Sequence, residues 1–172
     1  MRILLMRHGA AVKKGPYADL DRPLTPRGAA DVGRAALGLK RAGAQPVALV
    51  TSPAQRCVET ARIVAEVLGV PEARVESSDA FAGGTTAPGL LCELEAAHPG
   101  GAAGAELLVV GHEPDLVALG SHLLAADAGV QLRFEPAGCA CFELDGWKVP
   151  CRASLLWLLS AAQLLQLGEP KS

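Results

Sequence analysis

Ile3-Leu4-Leu5-Met6-Arg7-His8-Gly9 and, far later in the chain, Leu107-Leu108-Val109-Val110-Gly111-His112 share one pattern. In each, an unbroken apolar run stops abruptly, the first at Arg7-His8-Gly9 and the second at Gly111-His112. A short continuous apolar run bounded by glycine is how a strand covered on both faces reads, and such strands belong to parallel sheets. Ligands of open α/β sheets sit just beyond the carboxyl ends of their strands, which is where Arg7, His8 and His112 fall.

Working outward, a polar stretch from 10 to 24 leads to a helix predicted over 26–41, a short strand over 47–50 and a helix over 53–68. On that second helix Ala54, Val58, Ala61, Ala65 and Leu68 recur at the spacing of one buried face, and Gly69 follows as a stop. A weak strand over 74–76, a helix over 90–97 and a helix over 115–126 complete the alternation. A hairpin over 140–144 and 154–158 and a C-terminal helix close the chain. Strands and helices alternating across short connections predict a three-layer αβα sandwich, built on a mostly parallel, doubly wound sheet. The whole of 1–172 reads as one domain.

Half of the 172 residues are apolar, enough for a sizeable core, and the formal net charge is −2. That balance supplies no global attraction to nucleic acid or to an anionic membrane, so neither is expected as a partner, and an anionic ligand must be met by local charge. The five cysteines, Cys57, Cys92, Cys139, Cys141 and Cys151, are an odd set without CxxC spacing, which fits neither a disulfide framework nor a zinc ribbon. Reduced thiols, no metal or cofactor and a cytoplasmic location are expected. Apolar stretches are too short for a signal peptide or a membrane span. Trp147 and Trp157 read as hairpin and core residues.

Three helix starts carry proline: Thr25-Pro26, Ser52-Pro53 and Glu113-Pro114. Proline suits the first helical position, and Thr25 and Ser52 are suited to capping the amides that follow. The starts after the second and fourth strands lie on the edge that holds Arg7 and His8, where helix N-termini favour an anion. Arg56 sits in the first turn of the second helix, against the helix dipole, and needs an anion or a carboxylate such as Glu59 to offset it. Arg7, His8, Arg56 and His112 thus form a cationic cluster suited to a phosphoryl group. Cys57 reads either as a thiol made acidic by Arg56 or as a small packed residue. Lys13 and Lys14 in the long first loop are placed to meet an acidic substrate.

These residues resemble the histidine phosphatase superfamily. Arg7-His8-Gly9 is similar to its RHG signature, Ser52-Pro53-Ala54-Gln55-Arg56-Cys57-Val58-Glu59-Thr60 to its SPxxRxxxT helix start, and Gly111-His112 to its second-histidine motif. Arg22-Pro23-Leu24-Thr25 with Gly28, the Gly111-His112-Glu113-Pro114 stretch and the small size resemble the short SixA-type branch, associated with protein phosphohistidine phosphatases. The resemblance implies a phosphoglycerate mutase-like fold. It also implies that His8 is a nucleophile that becomes phosphorylated, while Arg7, Arg56 and His112 clamp the phosphoryl oxygens. For that chemistry His8 must be neutral on its attacking nitrogen, so its other ring nitrogen is expected to donate to a backbone carbonyl near Gly9.

The general acid departs from the pattern. Other branches carry a glutamate after the third strand, where this chain reads Phe81-Ala82-Gly83-Gly84-Thr85-Thr86. Glu93 and Glu95 fall on the third helix as surface charges. Asp19 ranks first as acid, with Asp21, Glu113 or no acid at all as alternatives. An alkoxide leaves poorly without a proton, whereas imidazole leaves as a neutral molecule, so a weak acid favours phosphohistidine on a protein as substrate. The alternatives are a phosphatase or mutase acting on a small phosphorylated metabolite, and a phosphate-binding module without turnover.

Overall fold

The computed structural model describes residues 1–13, 15–98, 105–125, 129–147 and 153–169. Lys14, Cys151 and the end of the predicted fourth helix at Ala126 lie outside them. The elements are β1 (Arg2–Arg7), α1 (Pro26–Arg41), β2 (Ala48–Thr51), α2 (Gln55–Leu68), β3 (Val75–Ser77), α3 (Ala87–Ala97), β4 (Glu106–Gly111), α4 (Glu113–Leu124), β5 (Cys139–Leu144), β6 (Ala153–Leu159) and α5 (Ala161–Gly168). The strands form one six-stranded sheet in the order β3-β2-β4-β1-β5-β6. The first four are mutually parallel, and the predicted hairpin adds β5 and β6 antiparallel on the far side of β1.

Each central strand alternates between two cores. Leu4 and Met6 of β1 with Leu108 and Val110 of β4 face a core shared with α1, α2 and α5. Ile3 and Leu5 with Leu107 and Val109 face a second core shared with α3 and α4. Strand alternation puts neighbours on opposite faces, so an all-apolar run is the sequence consequence of helices on both sides. The winding reverses between β3 and β4, because β4 inserts between β2 and β1. Register then aligns the three strand ends: Thr51 pairs with Val110, and Arg7 with Gly111.

The helix starts show where local sequence is overruled. At α1, the Thr25 hydroxyl accepts from the Gly28 amide at 2.9 Å, with Pro26 in the first turn as expected. At α2 the helix begins at Gln55, not at Pro53, and has no side-chain cap. The Ser52 hydroxyl accepts from the Ala54 amide just ahead of the helix at 3.3 Å and also meets His112, and the Gln55 amide donates to the Leu20 carbonyl at 2.7 Å. The long first loop therefore caps α2. The buried face of α2 is also rotated from the predicted one: Arg56, Cys57, Thr60, Ala61, Val64 and Ala65 are buried, while Val58 and Leu68 are only partly covered. Pattern reading left Arg56 and Thr60 off that face because both are polar, yet each is hydrogen-bonded inside. The third helix starts earlier than expected, at Ala87, with the Thr86 hydroxyl as its cap.

Candidate active site

Arg7 and His8 leave the end of β1, His112 leaves the end of β4, and Arg56 reaches across from the first turn of α2. The His8 amide donates to the Gly111 carbonyl at 3.1 Å, which ties the two strand ends together. The two imidazoles stand edge to face, with ring centres 5.3 Å apart and planes at 67°.

The ring Nδ1 of His8 lies 2.7 Å from the Gly9 carbonyl oxygen. A carbonyl only accepts, so Nδ1 carries the proton and Nε2 keeps its lone pair. Burial first of all, with the positive charge of Arg56 and Arg7 and of His112 when protonated, lowers the His8 pKa to about 4, against the opposing pull of the Gly9 hydrogen bond. His8 is thus neutral and singly oriented at neutral pH, with the Nε2 lone pair free. His112 is also lowered to about 4, by burial and then by Arg56. Its Nδ1 faces Arg56 Nη2 at 3.3 Å and its Nε2 faces the Ser52 hydroxyl at 2.9 Å. Guanidinium only donates, which places the His112 proton on Nε2, toward Ser52.

Arg56 is only 5% exposed. Its Nη1 donates to the Asp19 backbone carbonyl at 2.6 Å and its Nη2 to Asp19 Oδ2 at 3.1 Å. The partner offsetting the helix dipole is therefore Asp19 and not Glu59, which accepts from the Leu24 amide and from Gln55. Arg7 Nη1 bridges the Phe134 carbonyl at 2.6 Å and Glu113 Oε2 at 2.8 Å. The Nε groups of both arginines are buried without a hydrogen-bond partner among the described residues. Two buried, unsatisfied cationic donors cost stability unless an anion meets them.

Asp19, ranked first as acid, is held between two arginines. Its Oδ1 takes two hydrogen bonds from Arg22, at 2.6 and 3.0 Å, and its Oδ2 takes one from Arg56. Arg22 first, then Arg56, holds the carboxyl below its ordinary value. Glu113 is ion-paired with Arg7. Asp21 is exposed in the loop, and Glu93 and Glu95 are exposed on α3, Glu93 accepting from Ser78. Cys57 lies against the His112 ring, its sulfur 3.8 Å from Nε2, and burial pushes its thiol up to about 12. It is a packing residue, not an acidic thiol. Two hydroxyls escaped functional reading of the sequence: Ser52, taken only as a cap, and Thr60, quoted only as a motif letter. Nothing in sequence marks a hydroxyl as buried, although their fixed spacing about Arg56 was the available signal.

Comparison with known proteins agrees with this constellation. Residues 3–82 match the family model of the histidine phosphatase superfamily, branch 1. An uncharacterized protein of Picosynechococcus sp. is 33% identical over 139 residues, spanning 80% of this chain and 82% of that protein. The chain belongs to the histidine phosphatase superfamily. In structure, this histidine phosphatase is similar to the protein histidine phosphatase SixA complexed with tungstate, with a TM-score of 0.78, 25% identity, and coverage of 95% of this chain and 99% of that one. It shares its fold with a mycobacterial glucosyl-3-phosphoglycerate phosphatase complexed with inorganic phosphate, at a TM-score of 0.70, 22% identity, and coverage of 93% and 98%. The phosphoglycerate mutase-like fold expected from the sequence is the one observed. Among the described residues no cluster of His, Cys, Asp and Glu side chains is arranged to hold a metal ion, and no helix is long and apolar enough to cross a membrane.

Proposed function

We propose that this histidine phosphatase works through a phosphohistidine formed on His8, and that its substrate is a phosphohistidine carried by a protein. His8 Nε2 attacks the phosphorus of a phosphohistidine already protonated from solvent on its far ring nitrogen, the bond to the leaving nitrogen breaks, and the imidazole departs neutral, keeping that proton. Water then attacks the phosphorylated His8, releasing inorganic phosphate and restoring the neutral ring. Arg7 and Arg56, with Nε donors unsatisfied in the free protein, would clamp the equatorial oxygens together with His112, stabilising charge in flight.

The observation that carries the substrate reading is the state of the carboxylates. Asp19 and Glu113, the two that contact the clamp, are both engaged in arginine ion pairs. An alkyl ester needs a proton on its leaving oxygen, whereas a phosphoramidate does not need one from the enzyme. A second reading, a small phosphorylated metabolite, draws on a cleft of about 420 Å³ lined by Lys13, Gly15, Tyr17, Asp19 and Arg22, which borders the clamp through Asp19 and offers cations to a second anionic group.

Phosphate release with chelator present separates these readings. The substrates are a phosphohistidine-bearing protein, p-nitrophenyl phosphate and an alkyl phosphate, with His8→Ala as control. Turnover of the first two but not the third is expected, and none with His8→Ala. Efficient alkyl ester hydrolysis would overturn the phosphohistidine reading in favour of a metabolite phosphatase. Stoichiometric binding without release would make the protein a phosphate-binding module.

A further inference from the structure

Thr60 is completely buried, one helical turn beyond Arg56 on α2. Its hydroxyl donates to the Arg56 carbonyl at 2.7 Å and accepts from the Gly9 amide at 3.1 Å. The first bond is ordinary for a helical threonine, which often returns its proton to the carbonyl four residues back. The second is not local, since it joins residues 51 positions apart in the chain. A hydroxyl has one proton and two lone pairs. With the proton committed to Arg56, a lone pair is left for the Gly9 N–H, so the direction of both bonds is fixed.

Gly9 is the residue whose carbonyl holds His8 Nδ1. Its own N–H belongs to the peptide that follows His8, so the hydrogen bond to Thr60 sets the orientation of the backbone between the nucleophile and the carbonyl that fixes its tautomer. The other end of the same peptide, the His8 carbonyl, accepts from the Ala137 amide at 3.2 Å, a bond that Ala137 shares with the Arg7 carbonyl at 3.1 Å, so Thr60 is the side chain that completes the hold on this peptide. Gly9 has no side chain, and it is packed against Val32, Leu24 and the Gly28 carbonyl, contacts that limit its position but do not select a peptide orientation.

We propose that Thr60 is a positioning residue of the reaction. It anchors the Gly9 peptide so that His8 is held in the Nδ1-protonated tautomer with Nε2 facing phosphorus, and it ties that loop to the helix turn that presents Arg56. Thr60 touches neither substrate nor reacting atoms, and acts wholly through Gly9 and Arg56. The kinetic part of the proposal rests on His8 being the nucleophile; the tautomer part does not.

The test uses Thr60→Val, which keeps the shape but not the hydroxyl, with Thr60→Ala in parallel should the valine variant not fold, and Thr60→Ser as the conservative rescue. Imidazole ¹⁵N shifts of His8 read the tautomer directly, without substrate. The wild type is expected to show one tautomer, protonated at Nδ1; Thr60→Val to show a mixture; Thr60→Ser to restore the single form. Phosphoenzyme formation, followed in a single turnover, is expected to slow by about 10²-fold in Thr60→Val, as small misplacement of a reacting group does. KM is expected to change far less than kcat, because Arg7, Arg56 and His112 remain. A folded Thr60→Val protein with an unchanged His8 tautomer overturns the proposal, whatever its activity. If the wild type itself releases no phosphate, the functional reading falls, and the tautomer comparison still decides the role of Thr60.

Discussion

Two imidazoles that face one another beside two guanidinium groups stay neutral, because burial and the neighbouring cations both disfavour protonation. In an unfolded chain each would titrate near its ordinary value of 6.5, whereas in the folded protein each titrates at about 4. Between those values the unfolded chain binds more protons, so stability rises with pH across the window. The contribution is fully present above pH 6.5 and is lost as pH falls through 4. Tm is therefore expected to drop on acidification from about 6.5 to about 4, and His112→Gln, which removes one of the two groups, to flatten that dependence. A melting series over that range checks it; an unchanged slope in the variant would show that His112 is not buried neutral. Kinetically, the acid limb of kcat/KM is expected near 4 rather than near 6.5, once ionisation of the substrate is allowed for.

At the scale of elements, the loop after His8 and α1 interlock through two glycines. A Cβ on Gly28 would collide with the Ala10 carbonyl, and one on Gly9 would meet Val32, the Gly28 carbonyl and Leu24. The Ala10 carbonyl also accepts from the Thr25 amide at 2.9 Å, so the backbone after His8 is fastened directly to the start of α1. Because the obstacle at Gly28 is backbone and not a flexible side chain, Gly28→Ala must move the loop or the helix. The expected outcome is loss of kcat together with a cost of about 1–3 kcal/mol, the usual range for overpacking. Activity and a denaturant midpoint measured on the same preparation check both. Retained kcat in Gly28→Ala would mean that the loop tolerates displacement and that His8 is oriented by something other than this contact.

Across the whole molecule, the site depends on an order of strands that places β4 between β2 and β1, so that Ser52, His112 and His8 emerge side by side. The contact between α1 and α5 uses none of these residues. There α5 lies on α1 so closely that a Cβ on Gly38 would collide with the Leu164 carbonyl, and one on Gly168 with that of Arg34. Arg34 and Arg41 complete the contact, to Glu169 and to the carbonyls of Leu167 and Glu169. Gly38→Ala is expected to cost about 1–3 kcal/mol and so to lower Tm by roughly 2–12 °C for a chain of this size, with kcat unchanged. Thermal unfolding and a phosphatase assay decide it, and a fall in kcat at a temperature where the variant stays folded would show that the α1–α5 contact reaches the site.

The amino-acid sequence alone determined the αβα layering, since apolar runs of four residues such as Ile3–Met6 and Leu107–Val110 are buried by their own composition. It also determined the cluster of Arg7, His8, Arg56 and His112, because each stands at a strand end or helix start that local pattern already marks. Even the hydrogen bond from His8 to Gly9 was legible, being a contact between adjacent residues. Tertiary structure decided what depends on partners distant in the chain. It paired Asp19 with Arg56, 37 positions away, which makes a loop carboxylate the partner of a buried guanidinium. It turned Arg56 and Thr60 into the interior face of α2, where a hydrophobic periodicity has no letter for a polar side chain that is satisfied inside. The periodicity of a sequence reports which residues avoid water, whereas the direction of a hydrogen bond is settled only when donor and acceptor are brought together.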